Sequence, residues 1–229
     1  MMLFAVIYRV CSLLQRFWNR MKILMFGSKG TIFVFHEIDT VNQKNVDSSS
    51  FCTIELFKQT IEKYRGELCS LDEFLAHEES NKYVITFDDV PESVYSNAYP
   101  LLCKYGIPFV IYLSPKFIGC KGFLSIEQIK EMASNPICTV GAHTMRHTKL
   151  RYEKDCFREM QDSKILLESI ISRPVVHLAY PFGRADSVSR HVRREVQRAG
   201  FISATCTIPT NVPKHFDKWY IPRIAIWEK

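Results

Sequence analysis

Apolar and polar positions along the 229-residue chain alternate between two periods. Short runs rich in Val, Ile, Phe, Tyr and Thr predict buried strands, and apolar stripes spaced three and four apart predict helices. Residues 31–35 form the first such strand and end in His36-Glu37. Residues 53–65 carry Ile54, Phe57, Ile61 and Tyr64 on one helical face. Ser70 and Glu73 have the spacing of a capping box and open a short helix. The next strand, Tyr83-Val84-Ile85-Thr86-Phe87, stops abruptly in two adjacent carboxylates, Asp88 and Asp89. Beyond it the pattern predicts a helix over 93–104, stopped by Gly106 despite Pro100, then a strand over 108–113. A second capping box, Ser125 with Gln128, opens a helix to about residue 133, followed by a strand over 137–140. A long helix over 153–171, a strand over 175–179, a helix over 187–199 and strands over 201–206 and 220–226 complete the chain.

About seven strands alternating with helices imply an α/β fold, a parallel sheet with crossover helices. His36, Asp88, Asp89, His143 and His147 all fall at or just past the C-terminal ends of separate strands. A closed β/α barrel gathers such ends on one face, and an open doubly wound sheet also collects its ligands there. No Gly-rich phosphate loop follows the first strand, which argues against a dinucleotide site. No internal repeat or low-complexity linker divides the chain. The expected organisation is an N-terminal amphipathic helix over 1–25 and one domain over 26–229 that carries this strand-end cluster.

In that N-terminal helix, Leu3, Phe4, Ile7, Val10, Cys11, Leu14, Phe17, Trp18 and Met21 form a stripe, with Arg9, Arg16 and Arg20 on the other side. The uncharged run before Arg9 is eight residues, too short to span a bilayer. No basic region precedes it and no small-residue cleavage site follows, so a secretory signal is not expected. Two readings of residues 1–22 remain open: the stripe packs on the domain, or it makes peripheral contact with an anionic membrane surface.

Composition changes this picture little. A hydrophobic content of 47% and a charged content of 24% are ordinary for a globular protein. The net charge of +6 comes without a dense Lys/Arg block interleaved with aromatics, so no nucleic-acid partner is expected. The arginines over 190–198, with His191, read as a solvated basic helix face. Eight scattered cysteines with no C-x-x-C pair read as buried thiols in a reducing compartment. The expected location is cytoplasmic, and the second reading of residues 1–22 allows peripheral attachment at the inner membrane face.

The chemistry starts from two aspartates that cannot both enter an apolar core unpaired. They solvate in a loop, cap the next helix, or serve a metal or proton-transfer site. His143 and His147, four apart after a strand and a glycine, can reach one ion. Two imidazoles and a carboxylate make a common catalytic zinc set, and Asp89 is the natural third ligand. Asp88 is then left where a general base belongs.

These residues also resemble the polysaccharide deacetylase family. Thr86-Phe87-Asp88-Asp89 matches its first motif, T-F-D-D-G, with Val90 in place of the Gly. His143-Thr144-Met145-Arg146-His147 matches its second, H-[S/T]-x-x-H. Ala179-Tyr180-Pro181-Phe182-Gly183 resembles its third, R-x-P-Y-G, without the Arg. The resemblance runs over about 31–226. It implies a distorted, incomplete (β/α)7 barrel, a divalent metal that is usually zinc, and removal of N-acetyl groups from a sugar or glycan. It implies Asp88 as base, Asp89, His143 and His147 as metal ligands, metal-bound water as the attacking group, and an oxyanion site around Tyr180 and Phe182. The L-x-H motif that supplies a general acid in many members is absent over 220–229; a branch acting on exopolysaccharides carries a His where His36 stands, so His36 is the expected acid, ahead of His215. With Ala179 in the third-motif Arg position, Arg223 in the last strand is expected to reach Asp88 across the barrel, against the alternative of a surface or ion-paired Arg. Tyr180, Trp219 and Trp227 are sugar-stacking or core aromatics, and His177 is expected to be packed within its strand. The rival readings are an O-acetyl esterase or other amidase on the same site, and a catalytically silent glycan-binding or scaffold protein. Biosynthesis of a surface polysaccharide or glycoconjugate is the expected setting.

Overall fold

The structure, a computed structural model, describes residues 2–40, 51–76 and 81–227, with side chains of the first helix described from Val10 onward. The early members of the N-terminal stripe, Leu3, Phe4 and Ile7, and also Arg9, lie outside the described side chains.

Strand β4 (Lys82–Asp88) shows how the sequence makes the sheet. Val84, Ile85, Thr86 and Phe87 are all fully buried, so both faces of the strand are covered and the run is continuous rather than alternating. Successive side chains nevertheless point opposite ways. Ile85 and Phe87 join Phe33 and Phe35 of β1 (Ser28–Phe35) and Phe109 and Ile111 of β5 (Phe109–Leu113) in a layer beneath the helices. Val84 joins Ile32, Val110, Tyr112 and Ile221 in a second, inner cluster. Two residues on from Val84 along that inner row come Thr86 and then Asp88. The strand's own alternation thus turns Asp88 into the barrel.

The sheet runs in the order β10-β1-β4-β5-β6-β7-β8, adding β6 (Cys138–Ala142), β7 (His177–Ala179), β8 (Ser203–Thr205) and β10 (Ile224–Ala225). Every neighbour on that path is parallel. The last segment bonds to both ends of the order: Ile221 exchanges backbone bonds with Ala204 and Cys206 at 2.9 and 2.8 Å, and Ile226 N donates to Val34 O at 3.1 Å. The sheet is therefore curled into a distorted, incomplete barrel of seven parallel strands, as the motifs imply.

Helices cover the outside: α2 (Ile54–Tyr64), α3 (Leu71–Ala76), α4 (Tyr99–Tyr105), α5 (Ile126–Ser134), α6 (Cys156–Ile171) and α7 (Arg190–Arg198). Phe57 of α2 meets the rings of Phe35 and Phe87 at 5.2 and 5.8 Å between centroids. Each such buried ring contributes about 1.5–3 kcal/mol through the area it removes from water. Ser125 and Gln128 form the full reciprocal capping box, whereas for Ser70 the bond present is from Glu73 N to its hydroxyl.

Several elements differ from the sequence reading. The helix expected over 93–104 opens as a π-turn, Val94–Ala98, before α4. Pro100 has no N–H to offer the preceding turn, and the wider turn absorbs it. The expected strand over 220–226 is regular only at Ile224–Ala225, because Pro222 removes a ladder donor. Three short strands were not foreseen: β2 (Glu37–Asp39) and β3 (Phe51–Thr53), which form a parallel pair, and β9 (Val212–Pro213), antiparallel to the start of β1. The N-terminal helix, α1 (Met2–Phe26), runs beside β9 and turns a polar face to the barrel, not its apolar stripe.

Candidate metal and acid–base centre

At the C-terminal mouth of the barrel lies a cleft of about 920 Å3, lined by His36, Asp88, Asp89, His143, His147 and Phe182 among others. Asp88 forms its floor and is 2% exposed. Arg223, 1% exposed, donates to both of its oxygens: Nη1 to Oδ1 at 2.8 Å and Nη2 to Oδ2 at 2.6 Å. Nη1 also donates to Thr86 Oγ1 at 3.0 Å, and Nε to the Cys206 carbonyl at 3.2 Å. Thr86 in turn donates to the Phe33 carbonyl at 2.7 Å. The guanidinium rests on the Tyr112 ring at 5.4 Å. Burial alone would raise the Asp88 carboxyl; the Arg223 charge and its two hydrogen bonds overcome it and hold the group at about 2.

Beyond Asp88 the backbone turns sharply. Val90 N donates to Asp88 O at 2.6 Å, closing a three-residue turn on Asp89, and Asp89 and Val90 take φ of 58° and 51°. For the β-branched Val90, in the place of the motif's Gly, this is a strained conformation of order 1–2 kcal/mol. The turn sends Asp89 away from Asp88 and toward the two histidines. Thr144, His147 and Phe182 also take positive φ, so strain gathers around the cleft.

Asp89, His143 and His147 each bring one ligand atom, all within 4.8 Å of one another. Asp89 Oδ1 lies 3.2 Å from His147 Nε2 and 3.7 Å from His143 Nε2, yet that oxygen is buried with no hydrogen-bond partner. His143 Nδ1 lies 2.8 Å from the Ala179 carbonyl; donating there leaves the Nε2 lone pair facing Asp89. Burial pushes His143 down to about 3 and His147 below its ordinary value, which keeps both imidazoles neutral, the form that ligates. Burial raises Asp89 to about 6, against the pull of His36. An orphaned carboxylate oxygen facing two neutral imidazole nitrogens fits a divalent cation and is poorly explained by direct bonds among the three.

Other expected residues are distributed differently. His36, on the inner row after Ile32 and Val34, lines the cleft. Phe182 is 47% exposed, with its ring 5.0 Å from that of His147; its backbone N–H meets no acceptor among the described residues. Tyr180 is corrected: its ring belongs to the outer layer, its hydroxyl donates to the Trp219 carbonyl at 2.7 Å and its N–H to the Thr205 carbonyl at 3.0 Å, so neither can hold an oxyanion. Alternation after Ala179, which faces inward, turns Tyr180 outward. His215 packs on Phe26, before the start of β1 and so at the opposite end of the barrel from the cleft. Trp227 lines the cleft, while Trp219 packs against the core and donates to the Phe201 carbonyl. His177 is fully buried between Ser203 Oγ at 2.8 Å and Asp72 Oδ1 at 3.1 Å. This serine–histidine–aspartate row is a tie between β7, β8 and α3, because Ser203 is inaccessible.

Sequence reasoning missed Glu159. Its backbone carbonyl accepts from Met145 N at 2.9 Å, and its carboxylate accepts from Arg146 N at 3.0 Å and from Arg146 Nε. It pins the loop that carries both histidines. The signal was present: an acidic residue among the buried positions Cys156, Met160, Ser163 and Leu167 of α6.

Together the barrel and its mouth define a class: an α/β-barrel protein with a metal-competent Asp-His-His set beside a buried, charge-fixed aspartate. The sequence comparisons carry this further. The family model for polysaccharide deacetylase matches residues 76–202, more than half of the chain. The chain belongs to the polysaccharide deacetylase family. The Bacillus subtilis (strain 168) protein YxkH is 30% identical over 145 residues, 62% of this chain and 50% of that protein, so the match spans half of that relative's length. A poly-beta-1,6-N-acetyl-D-glucosamine N-deacetylase of Staphylococcus aureus is 24% identical over 215 residues, 85% of this chain and 72% of that one. Among solved structures, the Streptococcus pyogenes deacetylase PplD, in complex with acetate, shares the fold with a TM-score of 0.77 at 24% identity, covering 87% of this chain and 92% of that one. IcaB from Ammonifex degensii does so with a TM-score of 0.73 at 21% identity, covering 88% and 93%.

Proposed function

We propose that this protein hydrolyses N-acetyl groups of a polysaccharide or other glycan, releasing acetate and leaving a free amine on the sugar. The observation that carries the reading is the pairing, in one cleft, of a carboxylate held ionised by Arg223 with the Asp89-His143-His147 set. The names of the relatives support the substrate class: one is a deacetylase of poly-beta-1,6-N-acetyl-D-glucosamine.

In this reading Asp89, His143 and His147 hold the cation, with zinc the expected ion. A divalent cation there would supply Lewis-acid activation of water and of the acyl oxygen, and a carboxylate held near 2 needs water acidified in that way. Asp88 accepts the proton of the attacking water, and Arg223 fixes which way its two oxygens face. The Phe182 N–H donates to the oxyanion as the carbonyl becomes tetrahedral; one such donor contributes about 2.7–4 kcal/mol. His36 protonates the departing nitrogen as the C–N bond breaks. Trp227 and Phe182 offer partly exposed ring faces to the sugar. The eight cysteines are all free, which supports a reducing, cytoplasmic setting and a role in building a surface polysaccharide or glycoconjugate.

The test is acetate release from N-acetylglucosamine oligomers, with zinc added or chelated away, beside Asp88→Asn. Zinc-dependent release that falls by about 10²–10⁴ in the variant is expected. Release from matched O-acetyl sugars alone would move the assignment to an esterase. No release from either, with stoichiometric zinc bound, would leave a glycan-binding protein.

A further inference from the structure

Helix α1 packs against the barrel with the face opposite to the one a covering helix normally buries. Asn19, at the centre of its polar arc, is 9% exposed and donates from Nδ2 to Thr210 Oγ1 at 3.2 Å. Ser12, Gln15 and Arg16 on the same arc are half-buried. On the other side Leu13, Leu14, Phe17, Trp18 and Leu24 are 53–79% exposed. With Val10, Met21 and Met25 they occupy one continuous arc of about 140° at 100° per residue.

Charge says what covers this face. Arg20 and Lys22 stand on its two borders, and the sequence of α1 contains neither Asp nor Glu. Two copies packed stripe to stripe would set only like charges against each other, whereas an anionic lipid surface accepts both the apolar stripe and its basic borders. Among the described residues no helix is long and apolar enough to cross a membrane, so the fit is to the surface. Ser12, on the inward arc, lines the same cleft as Asp88 and His147.

We infer that α1 lies flat on an anionic membrane surface, apolar face down, and holds the wall of the cleft about 10 Å, one helix diameter, from the headgroups. This inference stands apart from the deacetylation reading, since its test reads binding and not acetate. The full chain is sedimented with phosphatidylcholine vesicles, with and without phosphatidylglycerol. Pelleting with the anionic vesicles, weaker with the neutral ones and reduced by salt, is expected. Phe17→Ser with Trp18→Ser should lower vesicle affinity about tenfold or more at an unchanged melting temperature, because both side chains are exposed. Arg20→Glu with Lys22→Glu should abolish the preference for anionic vesicles while leaving the stripe intact. Protein that stays in the supernatant with both vesicle types would overturn the inference. So would a twofold mass in sedimentation equilibrium that returns to one chain in the Phe17/Trp18 variant, which would give the face to a second copy.

Discussion

Arg223 and Asp88 are 135 positions apart in sequence, and neither is tolerable in the barrel without the other. A guanidinium that places four hydrogen bonds on Thr86, Asp88 and Cys206 has little freedom left. Removing it leaves a buried carboxylate whose desolvation is uncompensated, so the Asp88 pKa must rise. Arg223→Met is therefore expected to move the acid limb of the kcat/KM profile to higher pH by about 1–3 pH units and to lower the melting temperature, with a cost of about 3–5 kcal/mol. An unmoved acid limb in a folded variant would separate Arg223 from the ionisation of Asp88. At this scale the sequence was informative wherever a polar residue interrupted an apolar run at a strand end, as at Asp88, His36 and His143. It misled at Tyr180, where a motif position is filled by an outward-facing core residue. At Glu159 it offered an acidic residue among buried helix positions but not the partner, since Arg146 is met only through the folded loop.

Among elements, the register of β5 and β6 decides how closely the Arg223 layer packs. Tyr112 and Gly141 are register partners, and a Cβ on Gly141 would fall 2.4 Å from the Tyr112 ring. That ring supports the Arg223 guanidinium. Gly141→Ala should thus destabilise the fold by about 1–3 kcal/mol through overpacking, measurable as a lowered thermal midpoint. Activity should fall with it, since the displaced ring is the one beneath Arg223. A variant with wild-type melting would show that β6 can shift to make room. Helix existence was legible from capping and stripes, down to the Ser125–Gln128 box. Strand extent was less so: in 220–226 the apolar pattern is continuous, but Pro222 and the divided bonding of the segment, Ile221 to one edge and Ile224 to the other, confine regular pairing to two residues. Short pairs such as β2 with β3 carry too few residues to show a period at all.

For the molecule as a whole, the buried charges set its acid sensitivity in the metal-free state. Folded, Asp88 stays ionised to about 2; unfolded, its ordinary value is 3.8. Its stabilisation is complete above 3.8 and is lost as pH falls through 2. His143, near 3 when folded and 6.5 ordinarily, withholds a proton that the unfolded chain accepts, which weakens the fold across that window. Asp89, raised to about 6, works in the opposite sense between 6 and 3.8. Chelated protein is therefore expected to melt at gently declining temperatures from about pH 6.5 to about pH 4, and to lose stability steeply below. A midpoint level down to pH 2 would contradict the buried Asp88–Arg223 pair. Alternation of strands and helices, with the right-handed crossover, made a parallel α/β sheet readable but left a closed barrel and an open doubly wound sheet both standing; the barrel came from the resemblance that the motifs carry. What the sequence could not show is the direction α1 faces. Its stripe is equally compatible with covering a core; the bond from Asn19 to Thr210, with Ser12, Gln15 and Arg16 half-buried beside it, fixes the polar side inward.

The closing segment has a consequence for the order in which this protein comes into being. During synthesis the aspartates emerge early and the six parallel strands before residue 206 can begin to pair, but the counter-charge for Asp88 arrives only with Arg223. Until then a nascent chain carries a carboxylate with no cation to match it, and this part of the barrel stays open to water. Nascent chains released short of residue 223 should accordingly be sensitive to protease around β4, and full-length chains resistant.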